Sequence, residues 1–337
     1  MDRDDRPRVG VVLAGAAALG AYEVGVMSYV IEDVGRELGV RTMPSVLSGT
    51  SAGGINVAAL AAFADAPLEG IKQLRDAWCA LRLDQTVRPS SVELLSMFLD
   101  VSGAPARWRR ALRACTIRGG VLDPRPIANE IERVPIDRIA DHVRAGLLDG
   151  VAISATRVAS GEAVVFYDGT NVKPWSPREL AIPVATRMTR EHVLASAAIP
   201  LIFPAVQIVD DLYCDGGLRQ MVPLSPAVHL GATRLFVVNP LASTPGVQTP
   251  PPKTMMTSPL YLAGKAIDAL FADRVEMDLS RLEHTNAILR AGRRRFGDGF
   301  ERELNEELAR EQQAPLAEVA ALGIEPTQSL GALAADY

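Results

Sequence analysis

Val46-Leu47-Ser48-Gly49-Thr50-Ser51-Ala52-Gly53-Gly54-Ile55-Asn56-Val57 reads as an apolar strand lead-in, a tight turn and the start of a helix. Ser51 stands at the turn, and Gly49 and Gly53 flank it at the spacing Gly-x-Ser-x-Gly. A turn this tight leaves no room for a Cβ on either side. It lifts the serine hydroxyl out of the backbone and aims the positive end of the following helix at it. The stretch therefore predicts a nucleophile elbow and the chemistry of acyl transfer. Taken alone, the same residues also fit a packing turn in a chain that holds 27 glycines.

The pattern of strand, turn and helix is repeated on the N-terminal side. Val9 to Ala14 is mostly β-branched and apolar, Gly15-Ala16-Ala17-Ala18-Leu19-Gly20 is a small-residue loop, and Tyr22 to Gly39 carries Val26, Tyr29, Val30, Val34 and Leu38 at helical spacing. The second repeat is a strand near Pro44 to Ser48, the elbow, and an alanine-rich helix over Ala52 to Ala64. Such alternation predicts an α/β fold, a three-layer α/β/α arrangement around a mostly parallel central sheet. Helical stretches around Gly70 to Leu81 and Val92 to Leu99 suggest a cap-like helical insertion over 65–121. Asp123-Pro124 sets an N-cap and a first-turn proline for a helix through Ile131. Val151 to Val158 and Ala163 to Tyr167, joined by Ala159-Ser160-Gly161-Glu162, read as a hairpin.

Leu235-Phe236-Val237-Val238-Asn239 is the last convincing core strand and closes a domain over 8–240. A Pro-rich connector follows over 241–259, then a C-terminal helical extension over 260–337. Leu260, Ile267, Leu270, Phe271, Met277, Leu282 and Ile288 support one long helix or a pair, and Glu301 to Gln313 supports another with mostly solvated faces.

Two further segments join the elbow. Tyr213-Cys214-Asp215-Gly216-Gly217 lies far downstream, preceded by Ala195-Ser196-Ala197-Ala198-Ile199-Pro200 and Phe203-Pro204, and followed by Val222-Pro223-Leu224-Ser225-Pro226-Ala227. The order of small-residue loop, Gly-x-Ser-x-Gly and Asp-Gly-Gly, from about Arg8 to about Asn239, resembles the patatin-like phospholipases. That resemblance implies a Ser-Asp dyad, with Ser51 as nucleophile and Asp215 as general base, and an acyl-enzyme intermediate in lipid ester hydrolysis. Gly216 and Gly217 would let the loop bring the carboxylate to the elbow. The loop at Gly15, Ala16 and Ala17 would supply an oxyanion hole through backbone N–H groups.

The loop departs from the family pattern, which has consecutive glycines where Ala16 and Ala17 stand and a Lys or Arg where Leu19 stands. Alanine still offers an N–H, but each one held at positive φ costs about 1 kcal/mol. The departure keeps an alternative open, a non-catalytic or regulatory member that binds lipid or a protein partner. The loop is not a dinucleotide fingerprint, because Ala17 occupies the second glycine of Gly-x-Gly-x-x-Gly.

Bulk properties bound the remaining classes. With 337 residues and 48% hydrophobic content the chain can bury a substantial core. A net charge of −5 gives no support for a nucleic-acid partner. Cys79, Cys115 and Cys214 are odd in number, widely spaced and outside any metal-ligand pattern, which fits a reducing, cytoplasmic setting. No metal or organic cofactor is expected. No apolar run approaches the ~20 residues a membrane-spanning helix needs, so contact with a membrane surface would be peripheral; the lipid substrate is what the resemblance implies. Arg107-Trp108-Arg109-Arg110 and Arg113 read either as a phosphate-binding patch or as a solvated helix face. His142, His192, His229 and His284 lie in no motif.

Overall fold

A computed structural model describes residues 8–81, 124–175, 181–240, 259–328 and 330. Strand β1 (Val9–Leu13) runs into a loop and a single 3-10 turn (Ala17–Leu19), then into α1 (Gly20–Ser28). The helix continues through a π segment (Tyr29–Val34) and α2 (Gly35–Leu38), and stops at Gly39, whose φ of 63° is the left-handed cap that glycine takes without strain. Strand β2 (Val46–Thr50) is buried along its whole length, as a central parallel strand covered on both faces must be. Ser51 joins it to α3 (Ala52–Ala62), and α4 (Pro67–Ala80) follows, with Pro67 in its first turn.

Of the expected insertion over 65–121, α4 falls within the described residues; the segment carrying Arg107 to Arg113 and Cys115 lies outside them. Helices α5 (Arg125–Glu132) and α6 (Arg138–Arg144) lead to β3 (Gly150–Arg157) and β4 (Ala163–Gly169), the expected antiparallel hairpin. The helix read from Asp123-Pro124 begins one residue later than its sequence signal, with Pro124 as N-cap. Next come β5 (Ala181–Ala185), α7 (Arg190–Ser196), the short hairpin of β6 (Val206–Ile208) and β7 (Asp211–Asp215), α8 (Leu224–His229) and β8 (Arg234–Val238).

The strand order is β5-β4-β3-β2-β1-β8, with β1, β2, β3 and β8 mutually parallel. One face of the sheet offers Val11, Leu13, Leu47, Val151 and Ile153 to Met27, Leu60, Ile71, Ile139 and Val193 from the helices α1 and α3 to α7. The other face offers Val12, Ala14, Val46, Ala152 and Val165 to Met221, Leu224, Ala227 and Leu230 around α8. The three layers predicted by the strand and helix alternation are present.

The C-terminal extension contains the expected long helix, α9 (Pro259–Phe296), and the solvated helix α10 (Phe300–Arg310). It also contains a strand that the periodicity did not reveal. β9 (Ala320–Ile324) pairs parallel to β8 and extends the sheet at that edge. Leu279 and Leu282 of α9 pack on the second face, beside Met221 and Leu224. No described helix is long and apolar enough to cross a membrane.

Candidate active site

The site is built where two strands meet end to end beside β3. Thr50, the last residue of β2, pairs with Ser154, and Asp215, the last residue of β7, pairs with the next residue, Ala155. β2 runs parallel to β3 and β7 antiparallel, so their C-terminal ends face each other in one slot along the same strand. Ser51 and Asp215, 164 residues apart in the chain, are thereby neighbours.

Ser51 has φ 55° and ψ −124°, a conformation that L-residues adopt only when the surroundings impose it. Three contacts impose it here. A Cβ on Gly49 would collide with the Gly53 carbonyl, and one on Gly53 would collide with the Leu13 carbonyl at the end of β1. The Ser51 N–H donates to Ser196 Oγ at 2.9 Å, and the Ser196 hydroxyl donates to the Ser154 carbonyl at 2.7 Å. Ser196 closes α7 and is fully buried. It lies in the segment Ala195-Ser196-Ala197-Ala198-Ile199-Pro200. A serine in a run of small apolar residues before a proline carries no pattern of its own.

The Ser51 hydroxyl donates to Asp215 Oδ2 at 2.6 Å, the short distance of an O–H bonded to a carboxylate. The second oxygen, Oδ1, accepts the Gly217 N–H at 2.7 Å. The Asp215 backbone is held on both sides, its N–H by the Ala198 carbonyl at 2.9 Å and its carbonyl by the Thr156 hydroxyl at 2.9 Å. Gly216 is required sterically, since a Cβ there would collide with the Ser154 carbonyl. Burial pushes the Asp215 carboxyl up to about 7, and its hydrogen bonds from Ser51 and Gly217 only partly oppose that rise. The adjacent Cys214 thiol is pushed up to about 11 by burial and by Asp215, so it stays protonated at neutral pH.

The loop after β1 lies against Ser51: a Cβ on Gly15 would sit 3.5 Å from Ser51 Cβ. The Gly15 N–H is engaged, donating to the Met221 carbonyl at 2.9 Å. Ala16 has φ −146°, an ordinary value, whereas Ala17 has φ 47°. The anticipated backbone cost of the two alanines therefore falls on Ala17 alone. Leu19 is half-buried and belongs to neither core cluster.

The histidines have other work. His142 Nδ1 lies 2.8 Å from the Ala61 carbonyl, His192 completes a capping box with Thr189, His229 stacks on Trp175, and His284 is exposed. Among the described residues no group of three or more His, Cys, Asp or Glu is disposed to hold a metal ion.

Comparison with known proteins gives a match of residues 11–228 to the family model described as Patatin-like phospholipase. No curated protein matches the chain by sequence. Among solved structures the chain is similar to VipD from Legionella pneumophila, at 12% identity and a TM-score of 0.41, covering 96% of this chain and 62% of that one. It is similar to human GIVD cytosolic phospholipase A2, solved with methyl gamma-linolenyl fluorophosphonate and terbium chloride, at 13% identity and a TM-score of 0.31, covering 71% and 41%. It is also similar to the ExoU–SpcU complex from the Pseudomonas aeruginosa type III secretion system, at 18% identity and a TM-score of 0.22, covering 49% and 33%. The chain spans less than two thirds of each of these solved chains. The family match covers most of the described sheet, the elbow and the Asp-Gly-Gly turn, and the chain belongs to the patatin-like phospholipase family.

Proposed function

We propose that this protein is a serine acyl hydrolase cleaving carboxylic esters of lipids, a phospholipid, lysophospholipid or acylglycerol, through a Ser51–Asp215 dyad. The observation that carries this reading is the 2.6 Å hydrogen bond from the Ser51 hydroxyl to a fully buried carboxylate. A serine hydroxyl is a weak nucleophile until a base within about 3 Å takes its proton. With its affinity for a proton raised to about 7, Asp215 is partly ionised at neutral pH and is a stronger base than an ordinary carboxylate. It accepts the Ser51 proton as Oγ attacks the ester carbonyl and gives it to the leaving alcohol as the tetrahedral adduct collapses. Water then attacks the acyl-Ser51 ester, with Asp215 again taking the proton. The Ala16 and Ala17 amides are the candidate donors to the oxyanion, since the Gly15 amide is already engaged. The N-terminus of α3 adds its dipole at Ser51. No metal or cofactor enters this scheme. The lipid would be met at a membrane surface, peripherally.

A second reading, binding of a lipid or protein partner without turnover, draws on the loop, where one amide is occupied and Ala17 is held at positive φ. Covalent labelling with a fluorophosphonate separates the two without a guess at the substrate. The hydrolase reading expects labelling of the wild type, none of Ser51→Ala, and parallel loss of short-chain ester hydrolysis. An unlabelled, inactive wild type would sink it and leave the binding reading.

A further inference from the structure

A second buried carboxyl lies behind the loop, and the chemistry above does not use it. Glu23, on the first turn of α1, is fully buried. Its Oε2 accepts from Asn56 Nδ2 at 2.8 Å. Asn56, on the elbow helix α3, donates from the same nitrogen to the Gly20 carbonyl at 3.1 Å and accepts the Trp78 indole N–H of α4 at 2.8 Å. The carboxyl's other oxygen, Oε1, has no hydrogen-bonding partner. The start of α1 presses directly on the start of α3: a Cβ on Gly20 would lie 2.8 Å from Ala52 Cβ and from the Trp78 ring. The network thus joins the helix that leaves the loop to the helix that leaves the nucleophile.

We propose that Glu23, neutral in this network, is the positioning residue that sets the oxyanion loop against Ser51, and that its ionisation as pH rises turns the site off. The proposal rests on the hydrolase reading of the Ser51 site. A neutral carboxyl satisfies Asn56 and leaves one buried oxygen without a partner at tolerable cost, whereas a carboxylate would strand charge on that oxygen. Burial accordingly holds the carboxyl well above the ordinary range, opposed only in part by Asn56 and the Ala14 backbone.

Among the described residues, no cation on the elements packed around Glu23 contributes to its proton affinity. β1 and α3 carry no ionisable side chain, and α1 adds only Tyr22. The π segment carries Tyr29, Glu32 and Asp33, and α4 carries Glu69, Lys72, Arg75, Asp76 and Cys79, of which Arg75 is held by Glu32. None of these contributes to the shift of Glu23. Ionisation therefore favours a rearrangement of the start of α1 that brings the Glu23 carboxylate to water, and it places negative charge behind the loop where the oxyanion would develop.

The test is a pH series of kcat and KM on a short-chain soluble ester for the wild type, Glu23→Gln and Glu23→Ala, with hydrogen–deuterium exchange over residues 14–20. The wild type is expected to lose kcat on the alkaline side. Glu23→Gln, which keeps a neutral acceptor for Asn56, is expected to retain the neutral rate within about threefold and to abolish the alkaline loss. Glu23→Ala is expected to lower kcat about tenfold or more with KM little changed, the signature of a misplaced group. An alkaline limb persisting in Glu23→Gln, or a full rate in Glu23→Ala, overturns the proposal. Should Glu23→Ala not fold, the Glu23→Gln profile decides alone. Should the wild type hydrolyse nothing, the hydrolase reading falls separately. The Glu23 network is then judged by exchange and by the infrared carbonyl band of a protonated carboxyl followed through the pH series. Both must distinguish the variants, with faster loop exchange in Glu23→Ala alone and the band missing in Glu23→Gln, or the proposal falls too.

Discussion

Asp215 concentrates the electrostatic cost of the site. Its folded-state affinity for a proton lies near 7, against about 3.9 for a free aspartate, so the native state binds more protons than the unfolded chain between those values. Stability contributed by the protonated form is fully present below about pH 4 and is lost as pH rises through 7, the sign expected for a raised carboxyl. In the proposed mechanism the rate runs the other way, because Asp215 must be ionised to act as the base. The rate on a soluble ester is expected to rise with pH to a midpoint near 7, while the melting temperature falls over the same interval. Asp215→Asn is expected to abolish hydrolysis and also to stabilise the fold at pH 8, by up to about 4 kcal/mol at 1.36 kcal/mol per unit. Its oxygen can still accept from Gly217 and its amide can donate to Ser51. Denaturant titrations at pH 5 and pH 8 check this, and a gain no larger at pH 8 than at pH 5 would remove the buried-ionisation account. Ser51→Ala is expected to be equally inactive, and the double variant scarcely worse, if Ser51 and Asp215 act as the proposed dyad. Ser196 was invisible as a functional residue because its role is to accept one backbone N–H, and no spacing rule marks such a residue. Ser196→Ala orphans that N–H and the Ser154 carbonyl, so a loss of about 1–3 kcal/mol is expected together with a fall in kcat.

At the scale of elements, the elbow was the most legible part of the chain because a serine in a left-handed turn between strand and helix demands glycine neighbours at fixed positions. The same steric logic made Gly216 readable. The helix break at Gly39 and the β3–β4 hairpin followed from local turn chemistry. The head-on approach of β2 and β7 was not readable, since it is a register of two strands on a third and leaves no local mark. The oxyanion loop sits between these cases. Its substitutions were visible, but their cost depended on φ values, and only Ala17 proves to be in the left-handed region. Ala17→Gly is therefore expected to stabilise the fold by about 1 kcal/mol, while Ala16→Gly gains nothing and costs backbone entropy. Leu19 is half-buried, so an arginine there can run its stem along the surface and keep its head in water. Leu19→Arg should shift stability by no more than about 0.5 kcal/mol, as surface changes do, and should raise kcat/KM on a short-chain ester by restoring a cation near the developing oxyanion. A collapse in melting temperature would mean that the loop has been rebuilt around an apolar side chain.

For the whole molecule, the decisive question is whether the C-terminal extension is an appendage or part of the fold. Sequence suggested the former, because a Pro-rich stretch separates it from the last convincing strand. Ala320-Ala321-Leu322-Gly323-Ile324 has neither the alternation nor the β-branched content of a core strand. Its pairing with β8 is set by the neighbouring edge rather than by its own composition. The tertiary contacts favour integration. Leu279 and Leu282 cover the second face of the sheet, the Asp278 carboxylate accepts the Val222 N–H at 3.3 Å, and the Asn239 side chain reaches Glu325 at 3.0 Å. The Asp278–Val222 link touches the segment that follows Asp215, where the Met221 carbonyl holds the Gly15 amide. A chain built this way is expected to unfold as one unit, so that weakening α9 also weakens the Ser51–Asp215 site. Leu279→Ala/Leu282→Ala is expected to keep a single unfolding transition in urea and to lower its stability by on the order of 3 kcal/mol, given that both side chains are only partly buried. Fluorophosphonate labelling of Ser51 should be lost at the same shifted midpoint. If labelling instead persisted to the wild-type midpoint while helical signal was lost earlier, the extension would be a separate module. The sheet face under α9 would then be stable when uncovered, which 14 buried residues in that cluster argue against.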